Sequence, residues 1–275
     1  MKRDDEAVEH FTRDDLTMRV RRREAKSAAA ADNVVVLVHG IGVSSRYFTR
    51  LAGELSTSAT VISVDLPGFG PNRRPRRQLA VEDFGTLLAD YFTHAGVASP
   101  VLVGHSMGAE IVVDAALRHP VSGVTLIGPV VDERARSAWR QGTRLFRDTF
   151  HESPGANWIV FTDYLRSGIR WFFTELPAML AYRTEEHLPL VQAPVLIIRG
   201  DKDPVAPQGW VEFLGRQGRS TRVVSIPGGG HVVQHTQSAA VAAEIRLLIS
   251  GDSLLTQPEV RPAYPSAFEG EAAER

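Results

Sequence analysis

The chain contains no cysteine. A disulfide framework, a thiol nucleophile and thiolate metal sites are therefore excluded, while the compartment is left open. Nor is there an excess of charge of either sign: 31 Lys and Arg stand against 32 Asp and Glu, a net charge of -1. That balance gives no electrostatic footprint for nucleic acid or for an anionic membrane surface. No uninterrupted apolar run approaches membrane-spanning length. The first ten residues, MKRDDEAVEH, are charged with no apolar stretch behind them, so no secretory signal is expected and a cytoplasmic protein is the default reading. Internal repeats are also lacking.

What is present is ample apolar material. With 275 residues, 43% of them hydrophobic, the chain can fill one large core and carry an insertion. Short apolar, β-branched runs recur at Val34–Val38, 60–64, 101–103, 124–127, 193–199 and Thr221–Ile226. They read as strands buried on both faces. Segments with helical apolar spacing stand between or after them at 46–55, Val81–Ala95, 111–116 and 238–249. Alternation of this kind predicts an α/β protein with a mostly parallel central sheet and helices on both faces. Leu16–Arg23 alternates apolar and basic residues, as an edge strand with one wet face does.

Residues 132–190 break the rhythm. They hold no clear strand but three of the four tryptophans, Trp139, Trp158 and Trp171. Helical spacing joins Trp139, Phe146 and Phe150, and again Leu165, Ile169, Phe172 and Leu176. The segment reads as a helical cap inserted into a core of 16–131 and 191–250. Its aromatics serve mostly its own packing. Residues 1–15 and 251–275 are expected to be flexible ends.

The chemistry gathers behind the strands, where open α/β sheets place ligands. Gly104-His105-Ser106-Met107-Gly108 follows the 101–103 run directly and leads into a helix. A turn this tight has no room for a Cβ at the two flanking positions, and it pushes the Ser106 hydroxyl into the open. A serine needs a base, and the base needs an acid to fix its tautomer. His231 follows the last strand behind three glycines, and Asp203 follows the strand before it. Asp201 and Asp132 also follow strands and compete for the acid's role. His39 fits a loop brace, His105 a packed neighbour of the turn, and His235 a helix-start or surface residue. Arg73, Arg74, Arg76 and Arg77 form a basic cluster. It is either a solvated charge run or a site for an anionic group such as a coenzyme A or carrier-protein phosphate.

In five motifs the chain resembles the α/β-hydrolase superfamily: His39-Gly40-Ile41-Gly42, Asp65-Leu66-Pro67-Gly68-Phe69-Gly70, Gly104-His105-Ser106-Met107-Gly108, Gly200-Asp201-Lys202-Asp203-Pro204 and Gly229-Gly230-His231. The likeness covers about residues 17–250. It implies Ser106 as nucleophile, Asp203 as acid and His231 as base, in that chain order. It also implies the backbone N–H groups of Ile41 and Met107 as oxyanion donors. Family spacing favours Asp203 over Asp201. A serine at 106 sets the chain apart from the aspartate-nucleophile epoxide hydrolases and dehalogenases, and Ala109 stands where many relatives carry another glycine. The implied activity is hydrolysis of a carboxylic ester of a small-to-medium apolar acyl substrate through an acyl-enzyme. No cofactor or metal is implied, and the expected partner is a small-molecule substrate. Thioester, lactone and carbon–carbon bond hydrolysis use the same machinery, and a non-catalytic ligand-binding relative would share the fold.

Overall fold

A computed structural model describes residues 6–132, 162–163 and 169–251. Eight strands form one sheet in the order β1-β2-β4-β3-β5-β6-β7-β8. They are β1 (Glu6–Arg13), β2 (Leu16–Arg23), β3 (Val34–Val38), β4 (Thr60–Asp65), β5 (Val101–His105), β6 (Gly123–Ile127), β7 (Val195–Gly200) and β8 (Thr221–Ile226). The first two run antiparallel to their neighbours, and β4 to β8 with β3 are all parallel. The α/β architecture read from the alternation is the architecture found.

Strand side chains alternate between the two faces, and each face is packed. Val36, Val38, Ile62, Val64 and Leu102 join the core beneath α2 (Val81–Ala95) and α3 (Met107–Ala116). Val35, Leu37, Val61, Val101 and Val103 join the core beneath α1 (Thr49–Leu55) and the closing helix Ser238–Ser250. Burying one such aliphatic side chain is worth about 1.5–3 kcal/mol, so both faces contribute to holding the sheet. Helix α2 is delimited locally. The Ala80 N–H donates to the Asp83 carboxylate at 2.8 Å, and Gly96 ends the helix at φ +66°.

Two expectations change. Residues 6–13, expected to belong to a loose end, pair along their whole length with β2. Phe11 packs edge-on against Tyr91 at 5.6 Å, and Arg21 donates to Glu6, which anchors a strand whose own pattern is mostly polar. In consequence β2 is an interior strand, not an edge. The 46–55 segment begins as a 3-10 turn, Ser45–Phe48, before α1. Of residues 132–190, expected to form an inserted cap, the structure describes 132, 162–163 and the part from 169 onward. Trp139, Phe146, Phe150, Trp158, Leu165 and the tail beyond 251 lie outside the described residues.

Candidate active site

At the end of β5 the chain turns through Ser106 with φ 57° and ψ -123°, then enters α3. A non-glycine residue held there costs on the order of 1–3 kcal/mol, so the surroundings must impose it. They do so with backbone. A Cβ on Gly104 would lie 2.1 Å from the Gly108 carbonyl oxygen, and one on Gly108 would lie 2.2 Å from that of Val38. The Ser106 N–H donates to the Ile127 carbonyl at 3.0 Å, tying the turn to β6. Gly40 runs over the serine so closely that a Cβ there would sit 2.9 Å from Ser106 Cβ and 3.4 Å from Oγ.

The loop bearing Gly40 and Ile41 is braced by His39. Its Nδ1–H donates to the Gly40 carbonyl at 2.7 Å, and its Nε2 accepts the Leu66 N–H at 3.0 Å. Burial holds this imidazole's proton affinity below the usual histidine range, with Asp65 opposing the shift. Ile41 is buried next to the turn. Met107 is the first residue of α3, where an N–H has no partner within the helix and faces the dipole's positive end.

His231 and Asp203 come together from the ends of β8 and β7. The His231 Nδ1–H donates to Asp203 Oδ2 at 2.9 Å, with both side chains buried. Asp203 Oδ1 accepts the N–H groups of Val205 at 2.7 Å and Ala206 at 3.1 Å. Burial alone would raise this carboxyl. The adjoining His231 and the two backbone donors more than offset it, leaving Asp203 below the usual carboxylate range. Gly128, at φ +53°, passes this pair so closely that a Cβ would lie 3.0 Å from His231 Nδ1 and 3.2 Å from Asp203 Oδ2. The Ile127-Gly128 dipeptide therefore touches the serine turn on one side and the His–Asp pair on the other.

The competing residues fall elsewhere. Asp201 accepts the Gly228 N–H at 2.7 Å in an exposed turn. Asp132 is buried beyond the end of β6. His235 is buried, not at the surface, and its Nδ1–H donates to the Tyr47 carbonyl at 3.0 Å. The reason is that the short helix Val233–Thr236 is tucked against the Ser45–Phe48 turn. His105 packs beside the site with its ring centroid 4.7 Å from that of His231. Arg77 forks onto Asp83 at 2.6 and 2.9 Å, so it serves the start of α2.

Three supporting residues escaped the sequence. Arg199 lies buried at the end of β7 and donates to the carbonyls of Ala206 at 2.9 Å and Asp201 at 3.1 Å, shaping the loop that presents Asp203. Asp163 accepts from Ser44 Oγ at 2.6 Å and Arg46 Nη1 at 2.8 Å, tying its part of the chain to the loop after β3. Trp171 lies over Gly68, where a Cβ would come 2.3 Å from its Nε1, and beside Phe69. An arginine closing an apolar strand run is the one signal that could have pointed to such a brace. Among the described residues, no group of His, Asp and Glu is placed to hold a metal ion, and no helix is long and apolar enough to cross a membrane.

The model of the alpha/beta hydrolase family matches residues 35–244. Over 265 residues the chain is 26% identical to a pimeloyl-[acyl-carrier protein] methyl ester esterase of Neisseria meningitidis, covering 84% of this chain and 98% of that one. Among solved structures it is similar to an esterase from Thermogutta terrifontis, with a TM-score of 0.74 at 21% identity, covering 90% of this chain and 98% of the other. An enol-lactonase from Burkholderia xenovorans gives a TM-score of 0.76 at 17% identity, covering 88% and 100%. At those identities the structural likeness speaks for the fold alone.

Proposed function

The chain belongs to the alpha/beta hydrolase family, and from that premise we propose that it hydrolyses a carboxylic ester through an acyl-enzyme formed on Ser106. Ser106 Oγ attacks the carbonyl carbon as His231 Nε2 takes the hydroxyl proton. Asp203 keeps His231 in the Nδ1–H tautomer and stabilises the imidazolium that forms. The Ile41 and Met107 N–H groups hold the oxyanion. Collapse breaks the bond to the leaving oxygen, which departs as the alcohol with the proton from His231. Water then attacks the acyl carbon, giving a proton to His231, and the acid leaves as Ser106 recovers its hydrogen. No organic cofactor or metal enters this sequence.

The observation that carries the reading is the joint at Ile127-Gly128. One residue anchors a serine held at positive φ, and the next abuts a buried His–Asp pair. A relative named for a methyl ester supports an ester as the substrate. The apolar side chains of Ile41, Met107 and Trp171 around the loops support a small-to-medium apolar acyl group. Arg77 is spent on Asp83, which weighs against the basic cluster as a thioester-recognition site. Residues 132–190 act in this reading as the cap over a core of 16–131 and 191–250.

Labelling by a fluorophosphonate probe and turnover of p-nitrophenyl esters of graded chain length, run beside acyl-CoA thioesters, test the proposal. Wild type should be labelled and should turn over the esters, and Ser106→Ala should lose both, with turnover down by about a thousandfold or more. Equal labelling of Ser106→Ala, or an unlabelled wild type, rejects it.

A further inference from the structure

Beneath the site runs a buried chain of hydrogen bonds that the reaction above does not use. The Gly40 N–H lies 3.0 Å from Tyr47 Oη, Tyr47 Oη lies 2.8 Å from His105 Nδ1, and His105 Nε2 lies 2.9 Å from the His231 carbonyl oxygen. The direction of every bond follows from its ends. A carbonyl oxygen only accepts, so His105 Nε2 carries the hydrogen. Nδ1 of the neutral ring is then an acceptor, and the Tyr47 hydroxyl donates to it. The backbone N–H of Gly40 only donates, so the tyrosine oxygen accepts it. Gly40, Tyr47, His105 and His231 are all buried. The rings are in contact as well: Tyr47 meets His105 edge-on at 5.4 Å, and His105 tilts against His231 at 4.7 Å.

We infer that Tyr47 and His105 are positioning residues, which set the oxyanion loop and the base loop against each other through one hydrogen-bonded chain. The inference rests on the roles given above to Ile41, Ser106 and His231. At one end the chain holds Gly40, whose backbone presses on Ser106 and precedes the Ile41 donor. At the other it holds the main chain of His231. Residue 105 itself is the last of β5, so the nucleophile's own strand supplies the link. Two loops that come from β3 and β8 thereby share one reference point. The chain also requires a neutral His105. The charged groups facing it are His231, Asp203 and His39. Burial first, and His231 next, push its proton affinity well below the ordinary range. A proton on Nδ1 would confront the Tyr47 O–H and set a second cation beside the imidazolium that forms on His231 during turnover.

The test combines Tyr47→Phe, His105→Gln and the double variant with ester kinetics and 15N NMR of the histidine rings. Tyr47→Phe keeps the ring on Phe48, which it contacts at 4.4 Å, so the fold should survive. Its kcat should fall about tenfold with KM within about twofold, because one oxyanion donor is misaimed while substrate binding is not. His105→Gln should cost as much, and the double variant no more than about the worse single one, as members of one unit do. In wild type, NMR should show His105 still as the neutral Nε2–H tautomer at pH values where an ordinary histidine is protonated. Full kcat in Tyr47→Phe with Ser106 labelling intact overturns the relay alone. Multiplying losses in the double variant, or a His105 that titrates as an ordinary histidine, also overturn it. An unlabelled wild type overturns the functional reading and the positioning role together.

Discussion

The floor of the site and the described part of residues 132–190 are held by different means. The floor is fixed by backbone against backbone. Gly104 meets Gly108, Gly108 meets the end of β3, and Gly200 approaches Gly229 so closely that a Cβ would come 2.2 Å from its carbonyl oxygen. Such approaches leave no side chain that could repack. Residues of that segment are held by side chains instead: Asp163 on Ser44 and Arg46, Trp171 on Gly68, and Glu175 Oε1 accepting the Leu79 N–H at 3.2 Å. The difference teaches where change is tolerated. The backbone geometry around Ser106 cannot shift without breaking the fold, whereas single substitutions can reshape the contacts of the 132–190 segment.

The largest effect should come from the floor. Gly104→Ala forces a Cβ onto the Gly108 carbonyl and should cost about 3 kcal/mol of stability, read by urea denaturation. A loss under about 1 kcal/mol would mean that the floor yields after all, and the contrast would fail. At the seam, Gly68→Ala meets both a φ of +83° and the Trp171 ring, for about 2 kcal/mol. There the ring has somewhere to go. Trp171 should move, and KM for esters of different acyl length should change while kcat holds. A kcat loss at constant KM would place Gly68 in the floor instead.

The smallest effect lies in the helix Ile169–Ala181 and depends on pH. Burial raises the Glu175 carboxyl from 4.5 to about 7, against the Leu79 N–H bond, with Asp83 adding to the rise and Arg77 opposing it. A carboxyl raised in the folded state contributes stability that is complete below pH 4.5 and lost as pH climbs through about 7. Glu175→Gln stays neutral throughout. Relative to wild type it should gain about 1 kcal/mol between pH 4.5 and pH 8 in chemical denaturation. A difference that does not change with pH would show that the buried carboxyl is not what titrates.

Where local pattern decides structure, the sequence was readable. The bounds of β3, α2 and β8 follow from runs and caps contained within them. That Ser106, Asp203 and His231 come near one another was legible because each follows a strand, and strand ends converge in a parallel sheet. β1 was not, since Glu6, Glu9 and Arg13 blur its alternation and only the partner strand gives it a register. Tyr47 was not legible either. Its hydroxyl matters through His105, 58 positions away, and nothing near residue 47 records that neighbour. The burial of His235 was not legible for the same reason: it is decided by an element 188 positions distant.

The φ of 57° at Ser106 has one more consequence. A chain optimised for folding alone would carry glycine there, since glycine takes that conformation at no steric cost. Keeping a serine concedes part of a stability that for a whole domain amounts to only about 5–15 kcal/mol. The dense packing of glycines around it is then understandable as compensation, a rigid setting made to hold one residue in a posture that it would leave if freed.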